Sequence, residues 1–221
     1  MITREGAIAL CVYTCKNDFI LHNEFYASPV IAFLKNIDGL DVFEVTANPS
    51  ITATALEGNQ LVIKTDESYV NLPLKTYKMI CHLSEHLNYD FIVKIDVTTL
   101  TRAISNNSLT GGKVITNSEL ISLFSDPDYY RDYNGFVQLN ARRRGAENWA
   151  ANKGISIEYD KVFKGDTLPP FYSGKTWLIG KEFANFIANE GMTTVELFSR
   201  YFPAEDVMLG FLYQRYISLE K

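Results

Sequence analysis

Carboxylates at two places in this sequence could support acid–base chemistry. Asp96 directly follows an apolar run, Tyr89–Ile95, and Glu205 and Asp206 stand together at the start of a helical pattern. A carboxylate placed next to a reacting hydroxyl can accept its proton. The same residue types also cap turns and helix N-termini. The residues themselves therefore leave both roles open for all three acids.

The histidines and cysteines form no arrangement that indicates a particular reaction or metal site. His82 and His86 are one helical turn apart, but they lack the glutamate of a His-Glu-x-x-His metal motif, and His22 stands apart from both. All three histidines are expected to be solvated. The three cysteines lack a second Cys/His pair at zinc-finger spacing, and they are expected to be plain buried thiols.

Short apolar runs alternate with helical patterns, and this alternation predicts an α/β fold with a mostly parallel sheet flanked by helices. The predicted strands are Ala7–Tyr13, Asp41–Thr46, Gln60–Lys64, Tyr89–Ile95, a short one near Lys113–Thr116, Phe136–Asn140, Ile155–Tyr159 and Thr176–Ile179. The predicted helices are Asn23–Asn36, one that opens at Asn71-Leu72-Pro73, Lys181–Asn189 and Val207–Tyr216. Ligands of open α/β sheets bind beyond the carboxyl ends of strands, which is where Asp96 is expected.

Length and composition are typical of one globular domain spanning 1–221. Of the 221 residues, 47% are hydrophobic and 21% are charged, and the net charge is −5. An acidic chain is not expected to bind nucleic acid generally, although Arg142–Arg144 form a local basic run. No stretch is apolar enough to predict a membrane span or a signal peptide, so a cytoplasmic location is expected, with peripheral membrane contact left open.

Four segments, taken in order, resemble the β-1,3-glycosyltransferases of family 31, which include β-1,3-galactosyl- and N-acetylglucosaminyltransferases and Fringe. The segments are Glu67–Thr76, Lys94–Thr98, Pro169–Gly180 and Glu205–Gly210. They are similar to the family's Asp-Ser-Tyr-x-Asn-Leu-Thr-Leu-Lys-Thr, Lys-x-Asp-Asp-Asp, Pro-Pro-Tyr-Cys-Ser-Gly and Glu-Asp-Val-x-x-Gly motifs. The first and last segments match well, whereas the middle two are degraded.

This resemblance implies a GT-A fold, with a nucleotide-binding half at about residues 1–100 and an acceptor-binding half at about residues 101–221. It also implies inverting transfer of a galactose-type or N-acetylglucosamine-type sugar from a UDP-sugar to a glycan or lipid-linked glycan. The resemblance makes Asp206 the general base and Glu205 the second candidate. The nucleotide-sugar-binding residues that it implies are Lys75, Lys94, Asp96, Thr98, Ser173, Gly174 and Lys175.

The sequence departs from the family at the expected metal site. Val97 and Thr98 stand where the family has two acids, and no histidine follows Gly210. Hard cations prefer carboxylate oxygens, so we predict that no divalent cation is required; if Mn²⁺ or Mg²⁺ binds, Asp96 is its candidate ligand. Lys175, and after it Arg142–Arg144, are then the cations expected at the diphosphate, although a solvated loop is the simpler interpretation of the arginine run.

Two alternatives to an active transferase stay open. One is a catalytically inactive GT-A-like domain that binds a nucleotide sugar or glycan. The other is an unrelated α/β nucleotide-binding enzyme. The retained Glu205-Asp206 pair favours activity, because an inactive domain would not need it.

Overall fold

Strands and helices alternate along the chain in the structure, a computed structural model that describes residues 8–15, 19–103, 130–135 and 138–219. The strands are β1 (Ile8–Tyr13), β2 (Leu40–Ala47), β3 (Ala55–Glu57), β4 (Gln60–Ile63), β5 (Phe91–Asp96), β6 (Tyr133–Gly135), β7 (Gln138–Leu139), β8 (Phe171–Tyr172) and β9 (Thr176–Gly180). The α-helices are α1 (Phe19–Ala27), α2 (Pro29–Leu34), α3 (Leu72–His86), α4 (Val97–Ala103), α5 (Arg143–Asn152), α6 (Tyr159–Val162), α7 (Lys181–Glu190), α8 (Met192–Tyr201) and α9 (Glu205–Leu219).

Seven strands form one sheet in the order β3-β4-β2-β1-β5-β9-β6. The four inner strands β4, β2, β1 and β5 are parallel. Strands β3, β9 and β6 pair antiparallel with their neighbours. The predicted α/β class, with a parallel sheet flanked by helices, is confirmed. The chain leaves β1 toward β2 on one side and returns to β5 on the other, so a topological switch point lies between β1 and β5.

Strand β1 is almost wholly apolar because both of its faces are buried. Ala9 and Cys11 belong to a core that is shared with α3, α7, α8 and α9. Leu10 and Val12 belong to a second core on the opposite face, under α1, α2 and α4. Because successive strand residues point to opposite faces, a strand covered on both sides needs apolar residues at every position.

Helix α3 begins where the sequence predicts, with Pro73 in its first turn. Thr76, Ile80 and Leu83 lie on one face of the helix and are buried. Within the described ranges, none of the helices combines the length and the apolar character that a bilayer crossing would demand.

The predicted helix Asn23–Asn36 is in fact two helices, α1 and α2. Ser28 caps α2 by accepting a hydrogen bond from the Ile31 N–H, and Pro29 follows in the first turn. Proline lacks the N–H that a continuous helix would need at this position. The helical prediction was therefore right in type but wrong in continuity.

The second half of the chain differs more from the prediction. Ile155–Tyr159 is not a strand: the Glu158 N–H donates to the carbonyl of Tyr201, and α6 begins at Tyr159, whose side chain is buried. Helices α5 and α8 were not predicted. Of Phe136–Asn140, only β7 is a described strand, and it pairs antiparallel with β8 outside the main sheet. The strand predicted near Lys113–Thr116 lies outside the described residues.

Gly210 of α9 lies where the helix meets the chain segment before β8. A Cβ at this position would lie 2.5 Å from the carbonyl oxygen of Pro170 and 2.7 Å from Cβ of Phe171. The glycine of the Glu-Asp-Val-x-x-Gly segment therefore allows α9 to pack closely, and this packing carries the acids at its N-terminus toward β9.

We expect Gly210→Ala to lower the free energy of unfolding by about 1–3 kcal/mol, because overpacking forces backbone shifts. Gly145→Ala is the matched control: it lies in α5 with nothing within 4 Å of an added Cβ, and it should raise stability by about 0.5–1 kcal/mol. Urea denaturation of both variants provides the comparison. Equal effects of the two substitutions would contradict the close packing at Gly210.

Candidate active site

A cavity of about 640 Å³ opens at the carboxyl ends of β1 and β5, beside the switch point. The sequence-predicted residues that line it are Lys75, Lys94, Asp96, Thr98, Ser173, Gly174, Lys175, Glu205 and Asp206. All four segments of the family resemblance contribute to this wall, although they are separated by long stretches of sequence.

Lys94 of β5 is the contact that joins these segments. Its Nζ lies 2.7 Å from Asp96 Oδ1 and 3.4 Å from Glu205 Oε1, and it also donates to the carbonyl oxygen of Gly174. The side chain is only 2% exposed. Burial lowers the pKa of Lys94, but the carboxylates of Asp96 and Glu205 more than offset that effect, so the pKa is raised. Because three acceptors surround the ammonium, Lys94 holds the site together and does not offer an unused donor to a ligand.

The antiparallel direction of β9 explains how the Ser173–Lys175 turn reaches this site. Strand β9 starts at the edge where β5 ends, so the turn before β9 lies beside Asp96. The Asp96 N–H donates to the carbonyl of Lys175 at 3.0 Å, and the Thr176 N–H closes the turn on the carbonyl of Ser173 at 3.1 Å. Asp96 is also the residue before α4, whose first turn carries Thr98 into the cavity wall.

Asp206 lies in the first turn of α9, held by two backbone donors. The Gly174 N–H donates to its Oδ2 and the Val207 N–H to its Oδ1, both at 2.9 Å. Burial, followed by the neighbouring Glu205 carboxylate, raises the pKa of Asp206 to about 7, although the two N–H groups and Lys94 act in the opposite direction. Asp206 is therefore a carboxylate that can both accept and release a proton near neutral pH.

Gly174 is required by the closeness of this contact. A Cβ on Gly174 would lie 2.7 Å from Glu205 Oε1 and 3.2 Å from Asp206 Oδ2. Any larger residue would displace both acids.

A second buried lysine supports the opposite wall. Lys75 Nζ donates to Glu67 Oε2 at 2.8 Å and to the carbonyl of Thr14 at 3.2 Å. Glu67 in turn accepts the N–H of Ala47 at the end of β2. Burial lowers the pKa of Lys75, and Glu67 opposes that effect only in part. Lys75 therefore ties the start of α3 to the ends of β1 and β2.

Sequence reasoning missed an aromatic wall of the same cavity. Tyr69, Trp149 and Lys153 line it. The rings of Tyr69 and Trp149 are 6.0 Å apart, and Lys153 Nζ lies 5.2 Å from the Tyr69 ring centroid. Trp149 lies on α5 and Lys153 caps its C-terminus; this helix was not predicted, and no spacing pattern marked either residue. Tyr69 lies within the first resembling segment but was not singled out.

The structure does not bring the arginine run to this cavity. Arg142–Arg144 lie at the start of α5, and none of the three lines the cavity. Arg143 forms ion pairs with Glu147 and Asp160 at 2.8 Å and 2.7 Å on the exposed side of the protein. Lys175, in contrast, lines the cavity, and no carboxylate within the described ranges forms an ion pair with it.

The described residues do not fit a resident Mn²⁺ or Mg²⁺. A hard cation needs several carboxylate oxygens, but Asp96 Oδ1 and Glu205 Oε1 both face the Lys94 ammonium. Over the part of the chain that the structure describes, no group of three His, Cys, Asp or Glu side chains is arranged to hold a metal. The expectation of metal-independent chemistry stays a prediction, which this donor set supports.

Comparisons with known proteins add little to this geometry. No protein-family model matches the sequence, and no curated protein matches it. The chain is similar to the solved structure of mouse xyloside xylosyltransferase 1 in its apo form, with a TM-score of 0.35 and 11% sequence identity over 97% of this chain and 82% of that chain.

The raised pKa of Asp206 predicts how stability depends on pH. An unfolded aspartate titrates near pH ~3.9, whereas folded Asp206 titrates near about 7. The folded state holds this proton more tightly, so the free energy of unfolding should fall as pH rises between these values, on the order of 2–4 kcal/mol.

Asp206→Asn should remove this part of the pH dependence and stabilise the protein at pH values above 7. Urea denaturation across the pH series measures the difference between variant and wild type. Asp38→Asn, at an exposed acid outside the cavity, should leave the pH profile unchanged. A wild-type profile that runs parallel to that of Asp206→Asn would refute the raised pKa.

Proposed function

We propose that this protein is an inverting, UDP-sugar-dependent glycosyltransferase of the GT-A type. It transfers a galactose-type or N-acetylglucosamine-type sugar to a hydroxyl of a glycan or lipid-linked glycan, and the product is a β-1,3 linkage in a surface glycan. One observation carries the proposal: four segments that resemble family 31 motifs meet in one cavity at the switch point of the sheet. Chance resemblance in sequence would not require these segments to meet in space.

In the proposed reaction, Asp206 accepts the proton of the acceptor hydroxyl as that oxygen attacks C1 of the donor sugar. The new bond joins C1 to the acceptor oxygen, and the bond between C1 and the diphosphate oxygen breaks. UDP leaves with the electron pair, and attack from the opposite side inverts C1. A base with a pKa of about 7 suits this step at neutral pH, because about half of it is ionised and it is still basic enough to take a proton.

The leaving diphosphate gains negative charge in this step, and a nearby cation stabilises it. Lys175 is the cation that we propose, because it lines the cavity beside Asp96 and no described carboxylate forms an ion pair with it. Lys94 has a different role: its ammonium is enclosed by acceptors and fixes Asp96 and Glu205. Asp96, whose side chain is 37% exposed, can accept hydrogen bonds from the donor.

Asp206→Asn should lower the rate of sugar transfer by roughly 10²–10⁴-fold, because the amide cannot accept the proton. UDP affinity, measured by the ligand-induced rise in melting temperature, should barely change. In wild type, kcat/KM should rise with pH and level off above about 7.

Glu205→Gln separates the two acids of the pair. Glu205 pairs with Lys94, so this change should lower stability, in contrast to Asp206→Asn. Because the Glu205 carboxylate raises the pKa of Asp206, the rise of transfer with pH should persist in Glu205→Gln but shift to lower pH. Loss of transfer in Glu205→Gln with near-normal transfer in Asp206→Asn would move the base by one residue. UDP binding without transfer to any acceptor would favour the inactive-domain alternative.

Transfer should persist in EDTA and should not increase with added Mn²⁺, because the described carboxylates that could hold the ion face Lys94. Lys175→Ala should then lower kcat by about 10²-fold, which is the typical loss when one preorganised hydrogen-bond donor to a developing anion is removed. Lys164→Ala, at an exposed position outside the cavity, is the matched control and should be neutral. Strict dependence on Mn²⁺ would refute the metal-independent mechanism.

A further inference from the structure

We propose that Tyr69 and Trp149, with Lys153 at their edge, form the subsite that binds the acceptor as a pyranose ring. This inference rests on the proposed function and adds the class of acceptor contact that the cavity provides. Tyr69, Trp149 and Lys153 were not among the predicted site residues, so the subsite is an addition to the machinery described above.

The two rings form an open corner in the cavity wall. Their planes are inclined at 56° with centroids 6.0 Å apart. Tyr69 is 40% exposed and lines the cavity, and Lys153 Nζ lies over its ring. Aromatic side chains that stay accessible in a pocket wall are informative about the ligand.

Trp149 of the corner packs against buried residues on the side away from the cavity. Trp149 stacks on Phe202 with an interplanar angle of 17°, and Phe202 is 1% exposed. Ala146 and Ala150 bury the inner face of α5 on either side of Trp149. Phe202 precedes Glu205 by three residues, so the same short segment fixes both the tryptophan and the acid pair.

The position of the corner favours the acceptor sugar over the uracil base. Tyr69 lines the same cavity as Glu205 and Asp206, and burial followed by the charges of these two acids raises the pKa of Tyr69. The acceptor oxygen must lie beside Asp206 in the proposed reaction, whereas the nucleotide belongs at the strand ends near Thr14 and Lys75. Two rings inclined to each other can also contact two sides of a chair-shaped pyranose, whereas a flat base would stack on only one of them.

The chemistry of the corner matches an uncharged hexose. The axial C–H face of a pyranose can cover the Trp149 ring, and its hydroxyls can then be bonded by the Tyr69 hydroxyl and the Lys153 ammonium. Apolar walls with a few placed polar groups are typical of such sites.

Saturation-transfer NMR with methyl β-D-galactopyranoside and methyl N-acetyl-β-D-glucosaminide, each in the presence of UDP, tests the subsite. Wild type should bind at least one glycoside, with the strongest transfer to its axial ring protons. Trp149→Leu should weaken that binding about tenfold or more, whereas Trp149→Phe should stay within about threefold because it keeps a ring. Phe33→Leu removes an exposed ring from α2, outside the cavity, and should have no effect.

The UDP-induced rise in melting temperature, measured on the same variants, separates the outcomes. It should be the same in Trp149→Leu as in wild type. An equal loss of UDP and glycoside binding in Trp149→Leu would assign the corner to the base and overturn the proposal. Glycoside binding that is unaffected by Trp149→Leu, or absent from wild type, would overturn it as well. A wild type that binds a glycoside through Trp149 but binds no UDP would instead refute the proposed transferase and leave the subsite standing.

Discussion

The buried ammonium of Lys94 is the interaction on which the rest of the site depends. A lysine that is 2% exposed is tolerated only when carboxylates neutralise it. Asp96 lies two residues away on the same strand, but Glu205 comes from the last helix and the Gly174 carbonyl from the turn before β9. One charge therefore fixes the relative positions of β5, β9 and α9. Replacing it with an apolar residue would leave two acids facing each other in the same space.

The same charge balance makes the two acids of α9 unequal. Glu205 is buried and faces Lys94, whereas Asp206 is partly buried and is held by the N–H groups of Gly174 and Val207. Burial raises the pKa of Asp206, and the Glu205 carboxylate adds to this effect because two adjacent carboxylates cannot both ionise without cost. The structural acid and the proton-accepting acid are thus distinguished by which of them the lysine contacts.

The sequence was informative where a short local pattern decides the structure. The apolar run of β1, the proline-started helix α3 and the acids that begin α9 were predicted, because burial on two faces, helix periodicity and capping are local effects. The four motif segments, which are far apart in sequence, line one cavity. Helix α5 was missed because its sequence carries few apolar residues, and the wall that Trp149 forms depends on tertiary stacking upon Phe202. The role of Arg143 likewise depends on Asp160, seventeen residues away, which no spacing rule connects to it.

The long sequence separation of the Lys94 contact has a consequence for how the protein forms during synthesis. Lys94 and Glu205 are 111 residues apart, so a growing chain makes β5 well before it can provide the second carboxylate. Until α9 emerges, burying β5 would bury an ammonium with only Asp96 to neutralise it, and this opposes early closure of the sheet at that edge. The edge of the sheet at β5 is therefore fully stabilised only with α9 in place. Because Glu205 and Asp206 also line the cavity, the cavity and the neutralisation of Lys94 depend on the same helix.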